Sequence, residues 1–442
     1  MRKYLPVIGK VKLLSIKITN DVNGHWLRKI HMITQNYTLY CEIPFVKNQQ
    51  GQVFCDVLWA KDLKLHFTYI KNFSICCPLL SIQNSTDIAA VEKIMGSDLA
   101  ALEDISALPF SNVFDLNYCN GWVGFVKNLL PNFLKVRKTI QQTEIAHSGA
   151  AGWPFPLSFY LILLKLFYPF KWIMVIESSF FLMHKGERFS FRHFLSHHIY
   201  SFLVPICVKM SQARIFTHTE YWKLFCKSNK NILISPASWL DDSFFLTDAE
   251  VDQKKIGAKI QSVKMIFAGR LYEYKGIKVL FRAIEILQEK NIALRIDLMG
   301  SGDMEAACKE FAAQKHGSVN VSFIDTVPYG LPFFKLLQGY DVMLVPSLKE
   351  EQPRIIFDAY SQAMCVIGSD TSGITELCKH KENALICKLG SAEDLAEAII
   401  YASQNKQELI EMGINGLSFV KSKTHQKMHI ERELFLKAAL QV

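Results

Sequence analysis

Two patterns alternate through the second half of the chain. Segments 263–267, 294–299, 319–323, 342–345 and 365–368 read as strands, the first as a continuous apolar run of the kind a strand covered on both faces gives. Between them apolar residues recur at helical spacing. Over 277–290 the repeat is Ile277, Leu280, Ala283, Ile284 and Leu287, and further helices are predicted over 304–314, 333–337, 355–362 and 392–402. Strands alternating with helices predict a parallel, doubly wound α/β sheet.

The first half alternates less cleanly. Residues 11–18, 38–44, 145–147, 172–176 and 214–217 read as strands, and 122–140 and 189–210 as long helices. The apolar stretch 156–183 is broken by Lys165, Pro169, Lys171 and Glu177, short of the roughly 20 residues a membrane span needs. It reads as a buried helix, a turn at Pro169 and a buried strand. The expected organisation is an N-terminal domain over 1–240, an acidic linker over 241–260, a C-terminal domain over 261–415, and a segment 416–442 forming a helix that crosses back. Two such domains would face each other across a cleft, with ligands outside the carboxyl ends of the strands.

Composition narrows the class. Of 442 residues 50% are hydrophobic and 12% aromatic, which excludes a disordered chain, and 41 acidic residues beside 50 basic ones exclude a basic tail. The net charge of +9 is unevenly placed. Residues 1–240 hold 26 Lys and Arg against 14 Asp and Glu, and residues 241–442 hold 24 against 27. A basic half suggests an anionic partner, either a membrane surface or an acidic ligand. The basic residues are scattered and match no nucleic-acid-binding motif, so no nucleic acid partner is expected. Eleven cysteines without regular spacing, several inside apolar runs, read as reduced thiols of a cytoplasmic protein. The first residues carry charges at Lys10, Lys12 and Lys17 and lack the apolar core and cleavage site of a signal peptide.

Candidate chemistry gathers at the predicted strand ends of the second half. Gly269, Arg270 and Lys275 follow the first strand, and Gly300-Ser301-Gly302 the second. Pro346-Ser347 and then Glu350 to Ala359 follow the fourth, and Ser372-Gly373 and Glu376 the fifth. Glycine admits a ligand close to the backbone, Arg and Lys neutralise phosphates, and a helix starting near Ile355 offers amides to an anion. Asp358 lies about two turns beyond Glu350 and is within reach of ribose hydroxyls. This set describes a nucleotide-diphosphate site.

Residues 263–402 resemble the donor domain of retaining glycosyltransferases of the GT-B fold, family-4 type. The stretches FAGRLYEYKG, GSG, PSLKEEQPRIIFDA and SGITE follow that family's motifs in order and spacing. The resemblance implies two Rossmann-like domains and transfer of a sugar from a nucleotide sugar to a glycan or lipid-linked acceptor, as in surface polysaccharide or glycoconjugate synthesis. It implies that Arg270 and Lys275 bind the donor diphosphate and that Glu350 contacts the transferred sugar. Gly269, Gly300, Gly302, Pro353, Arg354, Ile355, Ile356 and Asp358 would complete the donor site. Asp358 departs from the family's second glutamate, Glu351 stands where glycine is usual, and Ser372 where the first of two glycines is usual. The implied mechanism is retention without a metal or cofactor, with the leaving diphosphate held by Arg270, Lys275 and helix-terminal amides. The first half resembles the family's acceptor domain loosely, and His147 resembles its donor-facing histidine.

Alternatives stay open at several positions. His147 reads equally as a core histidine capping a strand. Glu177 is a weaker candidate at the next strand end, and the turn at 21–25 holds Gly24 where the family has two glycines. His193, His197 and His198 share a helix with no carboxylate at ligand spacing, which disfavours a metal site. The helix 122–140 reads either as a crossover helix with a basic solvated face or as one lying on an anionic bilayer at the inner face of the plasma membrane. The two readings coexist only if part of its apolar stripe is exposed. A GT-B nucleotide-sugar epimerase and a noncatalytic nucleotide-sugar-binding protein are the competing functions.

Overall fold

The computed structural model describes residues 32–442 apart from 83–84, 96–100, 151, 153–154, 179–180, 183–189, 227, 229, 258–261 and 350–351. The strand expected over 11–18 and the turn with Gly24 lie outside the described residues. The chain divides into two compact units, one of residues 1–234 and 431–442 and one of residues 235–430.

In the first unit the strands are β1 (Tyr37–Tyr40), β2 (Phe45–Lys47), β3 (Val53–Asp56), β4 (Phe73–Ser81), β5 (Leu102–Asp104), β6 (Asn112–Leu116), β7 (Ile145–Gly149), β8 (Lys171–Ile176), β9 (Ala213–Phe216) and β10 (Ile232–Ile234). The helices are α1 (Val57–His66), α2 (Ser85–Met95), α3 (Gly121–Ile140), α4 (Leu157–Lys165), α5 (Phe191–Met210) and α6 (Thr219–Phe225). The sheet runs β10-β9-β8-β7-β1-β4-β2-β3-β5, with β6 also on β4. It is parallel except where β3 pairs β2 and β5. Helices α3 to α6 cover one face, where Val136, Ile140, Leu161, Tyr200 and Val204 pack around Trp172. Helix α1 covers the other face together with Leu436 and Leu440 from the end of the chain. Lys171 Nζ donates to the Leu440 carbonyl at 2.6 Å, so residues 431–442 are tied into this unit.

The second unit adds α7 (Asp248–Gly257), β11 (Lys264–Ala268), α8 (Ile277–Glu289), β12 (Leu294–Met299), α9 (Glu305–Ala313), β13 (Val319–Ile324), α10 (Leu331–Leu337), β14 (Val342–Val345), α11 (Arg354–Ser361), β15 (Cys365–Ser369), α12 (Ser372–Leu377), β16 (Ala384–Cys387), α13 (Ala392–Gln404) and α14 (Lys406–Val420). Helix α15 (His425–Leu440) ends the chain. The sheet order is β13-β12-β11-β14-β15-β16, parallel throughout. Successive residues of β11 feed opposite faces. Met265 and Phe267 join the cluster under α8, α9 and α13, and Ile266 and Ala268 join the one under α10, α11 and α12. That two-sided burial is why β11, β14 and β15 read as apolar runs, whereas the edge strand β13 exposes Asn320 and alternates.

The linker expected over 241–260 is part of the second unit. Residues 248–257 form α7, and Leu246 and Val251 are buried against Ala363 and Leu417. Thr247 and Glu250 close a capping box at its start, a signal overlooked in an acidic stretch. The C-terminal boundary expected at 415 falls inside α14, whose Leu409, Met412 and Leu417 are buried within this unit.

The five residues that predicted α8 are its buried residues. Leu280→Ala is expected to cost about 2–5 kcal/mol in urea denaturation, because it opens a cavity under a rigid sheet. Lys278→Ala removes only an exposed pair with Glu273 and should cost less than ~1 kcal/mol.

Candidate functional site

The strand order of the second sheet reverses between β11 and β14, so the chain leaves the two strands in opposite directions and a crevice opens at their carboxyl ends. The loop after β11 crosses to the loop after β12. The amide of Gly269 donates to the Met299 carbonyl at 3.1 Å, that of Leu271 to Ser301 at 2.8 Å, and that of Met304 back to Leu271 at 2.9 Å. The same first loop reaches the loop after β14, where the Leu348 amide donates to the Tyr274 carbonyl at 2.8 Å. Three strand-end loops are thus joined by their backbones. The glycines make this possible. A Cβ on Gly300 would stand 1.8 Å from the Gly269 carbonyl oxygen, and one on Gly276 would stand 1.8 Å from that of Pro346. Both residues also have positive φ, at +150° and +77°.

This framework holds Gly269, Arg270, Lys275, Gly300 and Gly302; Pro353, Arg354, Ile355, Ile356 and Asp358 lie at the start of α11 in the same unit. Arg270 is exposed and its side chain makes no hydrogen bond or ion pair among the described residues; its guanidinium lies 5.9 Å from the Tyr272 ring. Lys275 Nζ lies 5.2 Å from the Tyr274 ring, and the two tyrosines stack at 6.0 Å. An aromatic partner holds a cation in place without neutralising it. The alternation Arg-Leu-Tyr-Glu-Tyr-Lys carried that signal, and only its charges were read.

Pro353 caps α11 without a side-chain hydrogen bond. Ile356 buries its side chain in the core, and its amide donates to the Pro353 carbonyl at 3.1 Å, so it offers a ligand neither group. The amides of Arg354 and Ile355 take no partner among the described residues. They remain for an anion at the helix start. The exposed guanidinium of Arg354 lies 5.5 Å from the Trp239 ring. Asp358, one turn on, is 7% exposed and accepts from the Tyr329 hydroxyl at 3.0 Å. Burial pushes its carboxyl up to about 7, against the lowering effects of Tyr329 and Arg354. Tyr329 and Trp239 are supports that the sequence reading missed, and both lie far from the motif along the chain. Glu350 and Glu351 lie outside the described residues.

The first unit places His147 differently from the expected strand end. Strand β7 continues to Gly149, so His147 sits within it, opposite Leu39 and Ile173. It is buried, and its Nδ1 is 2.7 Å from the Tyr37 hydroxyl. Glu177 does follow its strand, with Arg432 Nη2 at 3.9 Å from Oε1. The unmarked carboxylate of this unit is Glu42, after β1. It accepts from the Leu157 amide at the start of α4, and burial pushes it up to about 8.

Two parallel-sheet units, the second with its switch-point crevice, define a GT-B protein, and comparison with known proteins agrees. The chain superposes on the HepE protein of Anabaena, whose crystal structure contains UDP, with a TM-score of 0.59 and 12% identity, over 92% of this chain and 100% of the other. Residues 248–418 match the family model described as glycosyl transferases group 1. The matched residues all lie within the second unit. Among curated relatives, the amylovoran biosynthesis glycosyltransferase AmsK of Erwinia amylovora is 23% identical over 58% of this chain and 62% of its own length. The N,N'-diacetylbacillosaminyl-diphospho-undecaprenol alpha-1,3-N-acetylgalactosaminyltransferase of Campylobacter jejuni is 22% identical over 52% and 60%. The chain thus spans less than two thirds of the length of these relatives.

The buried carboxyl of Asp358 predicts a pH dependence. Its folded pKa stands above the ordinary 3.8, so the folded chain holds the extra proton and loses stability as pH rises toward about 7. Asp358→Asn should remove that loss. Its stability relative to the parent should rise between about pH 4 and about pH 7 in chemical denaturation, and a constant difference would contradict the assignment.

Proposed function

We propose that the chain transfers a sugar from a nucleoside diphosphate sugar to a glycan or lipid-linked acceptor in polysaccharide or glycoconjugate synthesis, with retention at the anomeric carbon. The observation that carries this reading is the crevice between β11 and β14, where Arg270 stands exposed and without an acid partner among the described residues, beside Lys275 and the amides of Arg354 and Ile355. Preplaced cations and helix-terminal amides favour the negative charge that grows on a departing diphosphate. In this reading Asp358, held by Tyr329, meets the ribose diol, and Glu350 contacts the transferred sugar. The acceptor hydroxyl attacks on the face the diphosphate leaves, and a phosphate oxygen takes its proton. No metal enters the scheme, because Arg270 and Lys275 supply the positive charge. The UDP in the HepE structure and the polysaccharide role of AmsK support a nucleoside diphosphate donor and a glycan product. A cytoplasmic site of action is supported by eleven unpaired cysteines, ten of them buried.

Arg270→Ala should weaken nucleoside diphosphate binding about tenfold or more in calorimetry, the loss expected for one charged hydrogen-bond partner. Glu350→Gln should abolish transfer with diphosphate affinity nearly unchanged. EDTA should leave turnover intact. Unchanged affinity in both Arg270→Ala and Lys275→Ala would remove the site, and strong inhibition by EDTA would remove the metal-free scheme.

A further inference from the structure

Helices α3, α4 and α5 lie side by side on one face of the first sheet, with α4 packed against both neighbours. Each is apolar on its inner side, as a core requires, and α3 and α5 are apolar on the outer side as well. Along α3 the inner stripe is Phe125, Val136 and Ile140. The outer stripe is Val123, Val126, Leu130 and Leu134, spaced by three and four residues, with Val123 84% exposed. Phe167, just beyond α4, is 77% exposed, and Phe202 of α5 is 69% exposed. Side chains of this size left in water at helical spacing mark an interaction surface rather than scattered exposure.

Charge on the same helices has one sign. Lys127 and Lys138 of α3, and Arg192 and Lys209 of α5, are exposed among the apolar residues. No Asp or Glu occurs in any of the three helices, although the chain holds 41. The +12 of residues 1–240 therefore has a structural focus. The condition set by the sequence is also met: α3 is a crossover helix between β6 and β7, and its outer stripe is exposed.

We propose that the outer face of α3, α4 and α5 docks in the interface of a lipid bilayer rich in anionic headgroups. The apolar stripes enter the headgroup–acyl boundary while the cations meet lipid phosphates. Among the described residues no helix is long and apolar enough to cross a membrane, so the contact is interfacial. Charge complementarity selects this occupant. A soluble polyanion would satisfy Lys127 and Lys209 but leave Val126, Leu130 and Phe202 in water. A second copy meeting this face by twofold symmetry would set cations against cations with no carboxylate to pair them. The inference is independent of the donor-site reading and can fail without it.

The test is co-sedimentation of the full chain with vesicles of phosphatidylcholine alone or mixed with phosphatidylglycerol, at low and high salt, with soluble polyphosphate as a third ligand. The chain should bind the anionic vesicles, release them in high salt and ignore the neutral ones. The double variant Leu130→Glu with Phe202→Glu should bind anionic vesicles about tenfold less tightly and polyphosphate unchanged. Lys127→Gln with Lys138→Gln should weaken both. A circular dichroism spectrum and melting transition unaltered in every variant report that the chain is folded. Vesicle binding unaffected by Leu130→Glu with Phe202→Glu would overturn the proposal. So would a dimer in gel filtration that this variant splits, since the face would then belong to a second copy.

Discussion

The donor-side architecture depends on backbone touching backbone at the ends of three parallel strands. Gly300 lies against the Gly269 carbonyl and Gly276 against that of Pro346, at separations no side chain tolerates. Hydrogen bonds from Leu271, Met304 and Leu348 close the same seam. Because these loops cannot separate without breaking backbone hydrogen bonds, Arg270 and Lys275 are carried on one frame. Preorganisation of this kind lets a few charges act strongly, since nothing need reorganise when negative charge develops. Motif residues that look like ligand contacts in a sequence thus have a prior structural task. Gly300 and Gly276 permit the frame, and Arg270 and Lys275 use it.

How much of this was legible follows from burial. The strands β11, β14 and β15 are covered on both faces and appear as apolar runs, and the amphipathic α8 appears with its five buried residues in register. The first unit hides more. Strand β4, with Cys76, Cys77 and Pro78 at its middle, shows no alternation and has Ile75 as its one β-branched residue, and β2, β3 and β5 are three or four residues long. His147 was placed at a strand end because small residues follow it. Parallel pairing with β8 extends the strand to Gly149 and turns the imidazole into the core beside Tyr37. Helix α7 was missed because its one deeply buried apolar residue, Val251, gives almost no period. Tyr329 beneath Asp358 and Trp239 beneath Arg354 could not be read, since tertiary contacts join residues 29 and 115 positions apart.

The two units divide the physical labour. The second carries a slight excess of acid, and Arg270, Lys275 and Arg354 each lie beside an aromatic ring. The first carries the positive excess, and three of its helices are free of acid while exposing apolar stripes. One unit gathers charge in a crevice and the other spreads it over a surface.

The central claim is that a nucleoside diphosphate binds at the switch point of the second sheet. Amide hydrogen exchange of the full chain with and without UDP tests it most directly. The account predicts slowed exchange in 269–276, 300–304 and 352–358, where the joined loops and the start of α11 meet the ligand. Protection confined to residues of the first unit, at a UDP concentration that calorimetry shows to be saturating, would contradict it.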